Sequence, residues 1–381
     1  MMDHYVYGVA VAWNTLKYML QNWLKPLPAT LTKMLEALPA AALGQQLLVY
    51  QAQMPDLKKV RVAIIGLDEK NAQPIREQLY RMAWHFPKNA VVDLGNLRKA
   101  EPGLLLPVVF ELLSGKVLPI LIGGPDDLAR AQFMAYQEAK AMANLAVVHE
   151  TLSLADPKKG YATLLEPRHP LLFHFALIGY QIHQTPAATL EFLANNNFDH
   201  VRLGRSRAAL EETEPVVRDA DALAFHLGAL KQSEAPGVAR PSPSGLFAEE
   251  ACQICRYAGW SDKLTSFGVY GYQREADQGD HTAQVVAQMV WYFLEGFFSR
   301  KNEYPASTTG LTEYIVHLPQ LSHHLTFWKS TKSGRWWMQV PVANKRKHDR
   351  HRLVPCSYQD YQAACREELP ERLLMALQRF G

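Results

Sequence analysis

Cysteine is scarce in this chain of 381 residues, with only Cys252, Cys255, Cys356 and Cys365. That scarcity argues against a disulfide-built scaffold and suits a reducing compartment. Long apolar runs are missing as well: none approaches the ~20 residues of a membrane span. The opening Met1-Met2-Asp3-His4 has no basic stretch, which makes Tyr5–Trp13 a poor signal peptide. The expectation is a soluble cytoplasmic protein with no membrane partner. Charge of one sign is also lacking. The formal net charge is +3, too weak by itself to mark a nucleic-acid binder. Gly-x-x-x-x-Gly-Lys, Gly-x-Gly-x-x-Gly and Gly-x-Ser-x-Gly are all absent, so neither a phosphate-cradling loop nor a serine nucleophile elbow is in sight. Cys252 and Cys255 form one Cys-x-x-Cys inside a predicted helix, without a second pair at zinc-site spacing, and read as buried packing.

What is present is alternation. Short apolar, strand-like runs occur at Val60–Gly66, Ala90–Gly95, Leu118–Gly124, Leu145–His149, Leu171–Gly179, Val201–Gly204, Ala222–Leu227 and Leu264–Tyr270, the first of them rich in β-branched residues. Amphipathic stretches lie among them at Pro74–Phe86, Leu104–Leu113, Asp127–Ala143, Ala187–Asn195, Ala248–Ala258 and His281–Arg300. Strands alternating with helices predict a mostly parallel sheet covered on both faces. Residues 1–59 read as a helical preamble broken by Pro26, Pro28 and Pro39, and residues 60–304 as the α/β domain. After Pro305 the composition changes. Tyr314–Leu318, His324–Lys329 and Arg335–Val342 read as aromatic strands of a small α+β appendage, residues 305–381.

The chain is organised around Leu118–Asp127, an apolar strand that ends in Gly123-Gly124 and two carboxylates. Ligands of open α/β sheets bind at the carboxyl ends of strands. Asp126 is then either a helix cap or a site residue. His149 and His226 also stand at predicted strand ends, and three potential metal ligands at three strand ends are harder to dismiss than one.

These landmarks, in this order, resemble the arginase/formimidoylglutamase family, the ureohydrolases. Gly123-Gly124-Pro125-Asp126-Asp127 is similar to the family's Gly-Gly-Gly-His-Asp turn, and Val147–Leu154 falls where it has Asp-Ala-His-x-Asp. Phe225–Gly237, ending Ser233-Glu234-Ala235-Pro236-Gly237, resembles Ser-Phe-Asp-x-Asp-x-x-Asp-Pro-x-x-Ala-Pro-Gly. Val269–Asp277 followed by Thr282-Ala283 resembles the last motif, which runs to Thr-Ala. The resemblance implies a three-layer α/β/α fold. It also implies two manganese ions, held by four aspartates and two histidines, that activate a hydroxide against a guanidino or formimino carbon. Trimers and hexamers are common in the family.

At the implied metal positions this chain has Asp126, His149, Thr151, Ser153, His226 and Gly228. Asp126, His149 and His226 could still ligate a metal, but only one of them is a carboxylate. Lys231 adds positive charge, and Gly271 stands where the family's glutamate grips the substrate cation. The expectation is a pseudoenzyme without the dinuclear centre, holding at most one divalent ion, that acts as a binding or scaffold protein. The alternative is a formimidoylglutamase-like hydrolase of linear C–N bonds with an altered site. The expected partner surface is Trp328, Trp336 and Trp337 beside the basic run Lys345–Arg352, with Arg346, Lys347 and Arg350 steering an acidic protein. Strand alternation should turn Trp336 and Trp337 to opposite faces, so that either one packs on the core while the other stays available, or both are buried and anchor the appendage. The same basic run admits an RNA- or anion-binding role, although no nucleic-acid motif accompanies it.

Overall fold

The computed structural model describes residues 13–139, 142–156, 158, 160–165, 169–318, 324–340 and 352–380. Ten strands form the main sheet: β1 Leu24–Lys25, β2 Leu48–Val49, β3 Val62–Gly66, β4 Val91–Leu97, β5 Leu118–Gly124, β6 Ala143–Val148, β7 Leu172–Tyr180, β8 Asp199–Arg202, β9 Ala222–His226 and β10 Ser266–Tyr270. Their order is β1-β4-β3-β5-β10-β9-β6-β7-β8, with β2 alongside β4. Every pairing is parallel except β1 with β4. The central strands β3, β4, β5, β6, β7, β9 and β10 are buried along their whole length, as expected for parallel strands covered on both faces. Two large apolar clusters lie on the two faces of this sheet, which gives the expected three-layer α/β/α arrangement.

The N-terminal segment is not a helical preamble apart from the sheet, since β1 and β2 both join it on β4. The helix expected over Pro74–Phe86 runs over Glu69–Leu79 instead. Its start is set by the Asp68 carboxylate, which accepts from the Asn71 N–H at 3.0 Å. Phe86 is still buried, though it lies beyond the helix. Arg76 on this helix is fully buried and pairs with Asp93 of β4 at 2.7 Å, and Tyr80 donates to the same carboxylate. Gly123 turns the end of β5 with φ +70°, and a side chain there would strike the Ala72 backbone, so the glycine lets this helix approach the sheet.

The C-terminal unit is a four-stranded antiparallel sheet: β11 Leu311–Val316, β12 Leu325–Ser330, β13 Trp336–Gln339 and β14 Leu353–Cys356. Helices Tyr358–Cys365 and Glu371–Phe380 follow. Its fourth strand was not anticipated from the sequence. Trp336 and Trp337 do turn to opposite faces, but neither is free. Trp336 sits in the appendage's own core, with its ring 4.6 Å from that of Tyr361. Trp337 packs with Tyr304 and Leu353, and the Arg218 guanidinium lies 4.3 Å from its ring. Arg218 also donates to the Trp336 and Cys356 carbonyls. Both tryptophans are therefore anchors, because the second face of β13 meets the α/β core rather than water. Trp328 is half-buried, and Arg346, Lys347 and Arg350 lie outside the described residues. Among the described residues, no helix is long and apolar enough to cross a membrane.

Candidate functional site

Adjacent strands carry the candidate residues to one edge of the sheet. β9 ends at His226, which stands in register with Tyr270 at the end of β10, and Tyr270 in turn stands opposite Gly124 at the end of β5. His149 follows the last residue of β6, and its N–H donates to the Ile178 carbonyl of β7. Asp126 lies just past Gly124. The sheet thus gathers Asp126, His149, His226 and Gly228, four of the positions drawn from the sequence. Thr151 and Ser153 are occupied otherwise. The Thr151 hydroxyl donates to the Gln184 carbonyl, and the exposed Ser153 hydroxyl accepts from the Ala155 N–H.

Asp126 is not a helix cap. It opens a 3-10 turn without a side-chain cap bond, and its Oδ1 lies 2.7 Å from His226 Nδ1. The Tyr161 hydroxyl lies 2.7 Å from His226 Nε2. A carboxylate can only accept, so His226 Nδ1 carries the proton, and Nε2 is left to accept from Tyr161. The electrostatics agree with that inventory. Burial pushes the His226 pKa down, aided by nearby His149 and opposed by Asp126. Burial would raise the Asp126 carboxyl, but its bond to His226 and the histidine charges hold it below the usual range. Burial, with the charges of Tyr270 and Asp126, pushes the Tyr161 phenol well up. The result is an ionised aspartate, a neutral imidazole and a protonated tyrosine in a chain. Its buried end is closed, while the Asp126 side chain remains 57% exposed.

A second pair lies against the first. The His149 and His226 rings are 4.3 Å apart, and Glu150 Oε2 is 2.9 Å from His149 Nδ1. Burial would raise the Glu150 carboxyl, but the bond to His149 and the histidine charges hold it low. Its oxygens fill the space beside Gly228, where any side chain would collide with them. Gly271, with φ +89°, similarly lies against Asp126 Oδ1. Tyr270 closes the floor: its ring stacks 5.6 Å from that of His226, and its hydroxyl donates to Gln132.

Glu150, Tyr161 and Tyr270 went unremarked in the sequence. The one available signal was for Glu150, a carboxylate next to a strand-end histidine. Tyr161 reaches His226 from 65 positions away, and no local pattern marks it. Lys231 does not face this cluster as a bare charge; its ammonium lies 5.2 Å from the Phe247 ring. Cys252 and Cys255 are buried in the helix Ala248–Trp260 and carry free thiols. The loop that ends in Ala235-Pro236-Gly237 is tied to the next motif, with the Gly237 N–H donating to Thr282 Oγ1 at 2.8 Å. Asp277 caps the helix His281–Phe298 by accepting from the Thr282 and Ala283 N–H groups.

A family model described as the arginase family matches residues 175–295. The formimidoylglutamase of Staphylococcus haemolyticus is 23% identical over 201 residues, which are 48% of this chain and 64% of that protein. The formimidoylglutamase of Streptococcus gordonii is 25% identical over 258 residues, covering 58% of this chain and 76% of that one. Among solved structures, the Trypanosoma cruzi formiminoglutamase with Mn2+2 superimposes with a TM-score of 0.57 at 19% identity, over 63% of this chain and 94% of that one. The Bacillus subtilis formimidoylglutamase gives 0.58 at 16% identity, over 66% and 90%. The family-model match over residues 175–295 and the curated relatives, on an arginase-like fold shared with these structures, support a place for this chain in the arginase/formimidoylglutamase family, the ureohydrolases.

Proposed function

We propose that this chain is a ureohydrolase-fold pseudoenzyme, a binding or scaffold protein in which a closed proton-sharing cluster stands in place of the family's dinuclear manganese centre. The observation that carries this reading is His226, both of whose ring nitrogens are spent, one on Asp126 and one on Tyr161. A histidine ligand must offer a lone pair to the metal while its other nitrogen donates outward. Here the outward bond, to Asp126, is in place, but the lone pair already holds a phenol proton. Two divalent ions ~3.5–4 Å apart also need bridging carboxylates to offset their repulsion. Asp126 is engaged with His226, Glu150 Oε2 lies 2.9 Å from His149 Nδ1, which accepts from the Thr151 N–H, and Gly228 and Gly271 supply no side chain. The residues present do not fit a manganese pair.

The partner of such a scaffold is an acidic protein drawn by the basic run around Arg346, Lys347 and Arg350, in a cytoplasmic setting. Serine at those three positions should leave the fold intact and weaken binding to that protein in a salt-dependent way.

A second reading has one observation in its favour. Glu150 adds a carboxylate to Asp126, His149 and His226, a donor set that could hold a single Zn2+ or similar ion after rearrangement. The chain would then be a formimidoylglutamase-like hydrolase with an altered site. Manganese loading followed by elemental analysis, with assays on formimidoylglutamate, arginine and agmatine, separates the two. The scaffold reading expects neither a metal pair nor turnover. Two ions per chain, or turnover that disappears in His226→Ala, would establish the hydrolase.

A further inference from the structure

At the amino-terminal edge of the sheet, opposite the histidine cluster, three cations surround a cavity of about 210 Å3. Arg61 precedes β3, Lys116 and Val117 precede β5, Leu264 and Thr265 precede β10, and Phe297 and Arg300 come from the end of the helix His281–Phe298. We propose that this cavity is a binding site for a small oxyanion of the phosphate class, held by Arg61, Lys116 and Arg300.

Charge is the first reason. Among the described residues, none of these three cations has a carboxylate within ion-pair distance. Arg61 is instead stacked on aromatic rings, its guanidinium 4.9 Å from Phe297 and 5.6 Å from Phe298. That contact orients the fork without neutralising it. Arg300 is pinned by two carbonyls, with Nε donating to Gly259 at 2.8 Å and Nη2 to Leu264 at 2.9 Å. Its remaining N–H groups have no side-chain or carbonyl acceptor among the described residues. The acid whose charge acts on Arg300 is Asp262, which accepts from the Glu303 N–H and does not line the cavity. Burial pushes the Arg300 pKa down, Asp262 opposes this, and Arg61 and Arg335 add to it, as expected for a cation short of counter-charge.

Apart from the two carbonyls that hold Arg300, nearby backbone groups are committed elsewhere. The helix Pro102–Ser114 ends at this cavity, and its terminal carbonyls would ordinarily favour cations. They are taken: Glu111, Leu112 and Leu113 accept from the N–H groups of Gly115, Val117 and Lys116. The Phe297 carbonyl likewise accepts from the Arg300 N–H. Three like charges around one hollow repel one another, and a dianion relieves that repulsion while giving the arginine forks the geometry they match. Phe297 and Leu113 wall the hollow with apolar surface, which strengthens each charge-assisted bond inside.

The test uses the intact chain, with inorganic phosphate and O-phosphoserine titrated by calorimetry and by thermal unfolding against potassium chloride of equal ionic strength. The proposal expects saturable phosphate binding and a rise in unfolding midpoint that chloride does not reproduce. Arg61→Ala and Lys116→Ala, both exposed and free to fold, should each weaken phosphate by about ten-fold. Arg300→Lys, which keeps the charge but loses the fork, should weaken it as well. Tighter binding of O-phosphoserine than of phosphate assigns the site to a phosphomonoester, and the reverse assigns it to the free ion. No saturation by either probe, or equal affinity in the wild type, Arg61→Ala and Lys116→Ala, overturns the proposal.

Discussion

The Glu150 carboxylate occupies the space that a side chain on Gly228 would need: a β-carbon at position 228 would lie 2.5 Å from both of its oxygens. Glycine at 228 and glutamate at 150 are therefore one feature of the site. Gly228→Ala should force Glu150 out of its place beside His149, at a cost of about 1–3 kcal/mol. The double variant Gly228→Ala/Glu150→Ala should recover part of that loss, with a coupling of at least ~0.5 kcal/mol in urea unfolding. Strict additivity of the two single changes would show that the two residues do not share this space.

Tyr161→Phe removes the proton that occupies His226 Nε2 without changing the shape of the site. Stability should fall by about 1 kcal/mol, the usual worth of a buried hydrogen bond. The freed lone pair should also raise affinity for Zn2+ or Ni2+, measured by calorimetric titration of wild type and variant side by side. If the two bind these ions equally, the phenol is not what closes the nitrogen.

Acidification should destabilise the fold in a window set by buried histidine. Burial lowers the pKa of His226 and of His174 from the ordinary 6.5. The unfolded chain therefore takes up protons that the native chain refuses, and stability falls as pH drops below about 6.5 toward the folded-state values. Asp126 and Glu150, whose carboxyls are held low, contribute stability that is lost only at more acid pH. His226→Gln should flatten part of the slope that begins below about pH 6.5 and leave the His174 part. Urea unfolding at several pH values reads this directly, and an unchanged slope in the variant would remove His226 from the account.

Arg218 joins the two units of the chain. It is buried, pairs with Glu214 at 2.8 Å, lies over Trp337 and donates to two carbonyls of the appendage. Trp337→Ala should cost about 3–5 kcal/mol through loss of buried area. Arg218→Ala should cost about 2–4 kcal/mol, because a half-buried acid loses its nearest partner and two carbonyls of the appendage lose their donor. Limited proteolysis should then cut near residue 305 well before the α/β core. Simultaneous degradation of both units would mean that the appendage does not detach on its own.

Much of the architecture was legible because it is written in local patterns. Runs such as Val62–Gly66 and Leu118–Gly124 are apolar throughout, as a strand covered on both faces must be. Helix limits were less legible, as the Asp68 cap shows: Pro74 was read as a first-turn residue, whereas a side-chain oxygen six positions earlier sets the start. Alternation did place Trp336 and Trp337 on opposite faces. It could not say that each face would be covered, since that depends on what the rest of the chain brings to it.

The sequence by itself determined the alternation of strands and helices, the carboxyl-edge placement of Asp126, His149 and His226, and the absence of side chains at Gly228 and Gly271. These follow from residue type and from periods of two and 3.6, which are properties of neighbours along the chain. Only the tertiary structure decided that Tyr161 would seal His226, that Glu150 would fill the hollow of Gly228, and that Arg61, Lys116 and Arg300 would meet around one cavity. Hydrogen bonds reach about 3 Å and screened charge about 10 Å. Residues far apart in sequence act on one another only after strand order and loop path have brought them within that range.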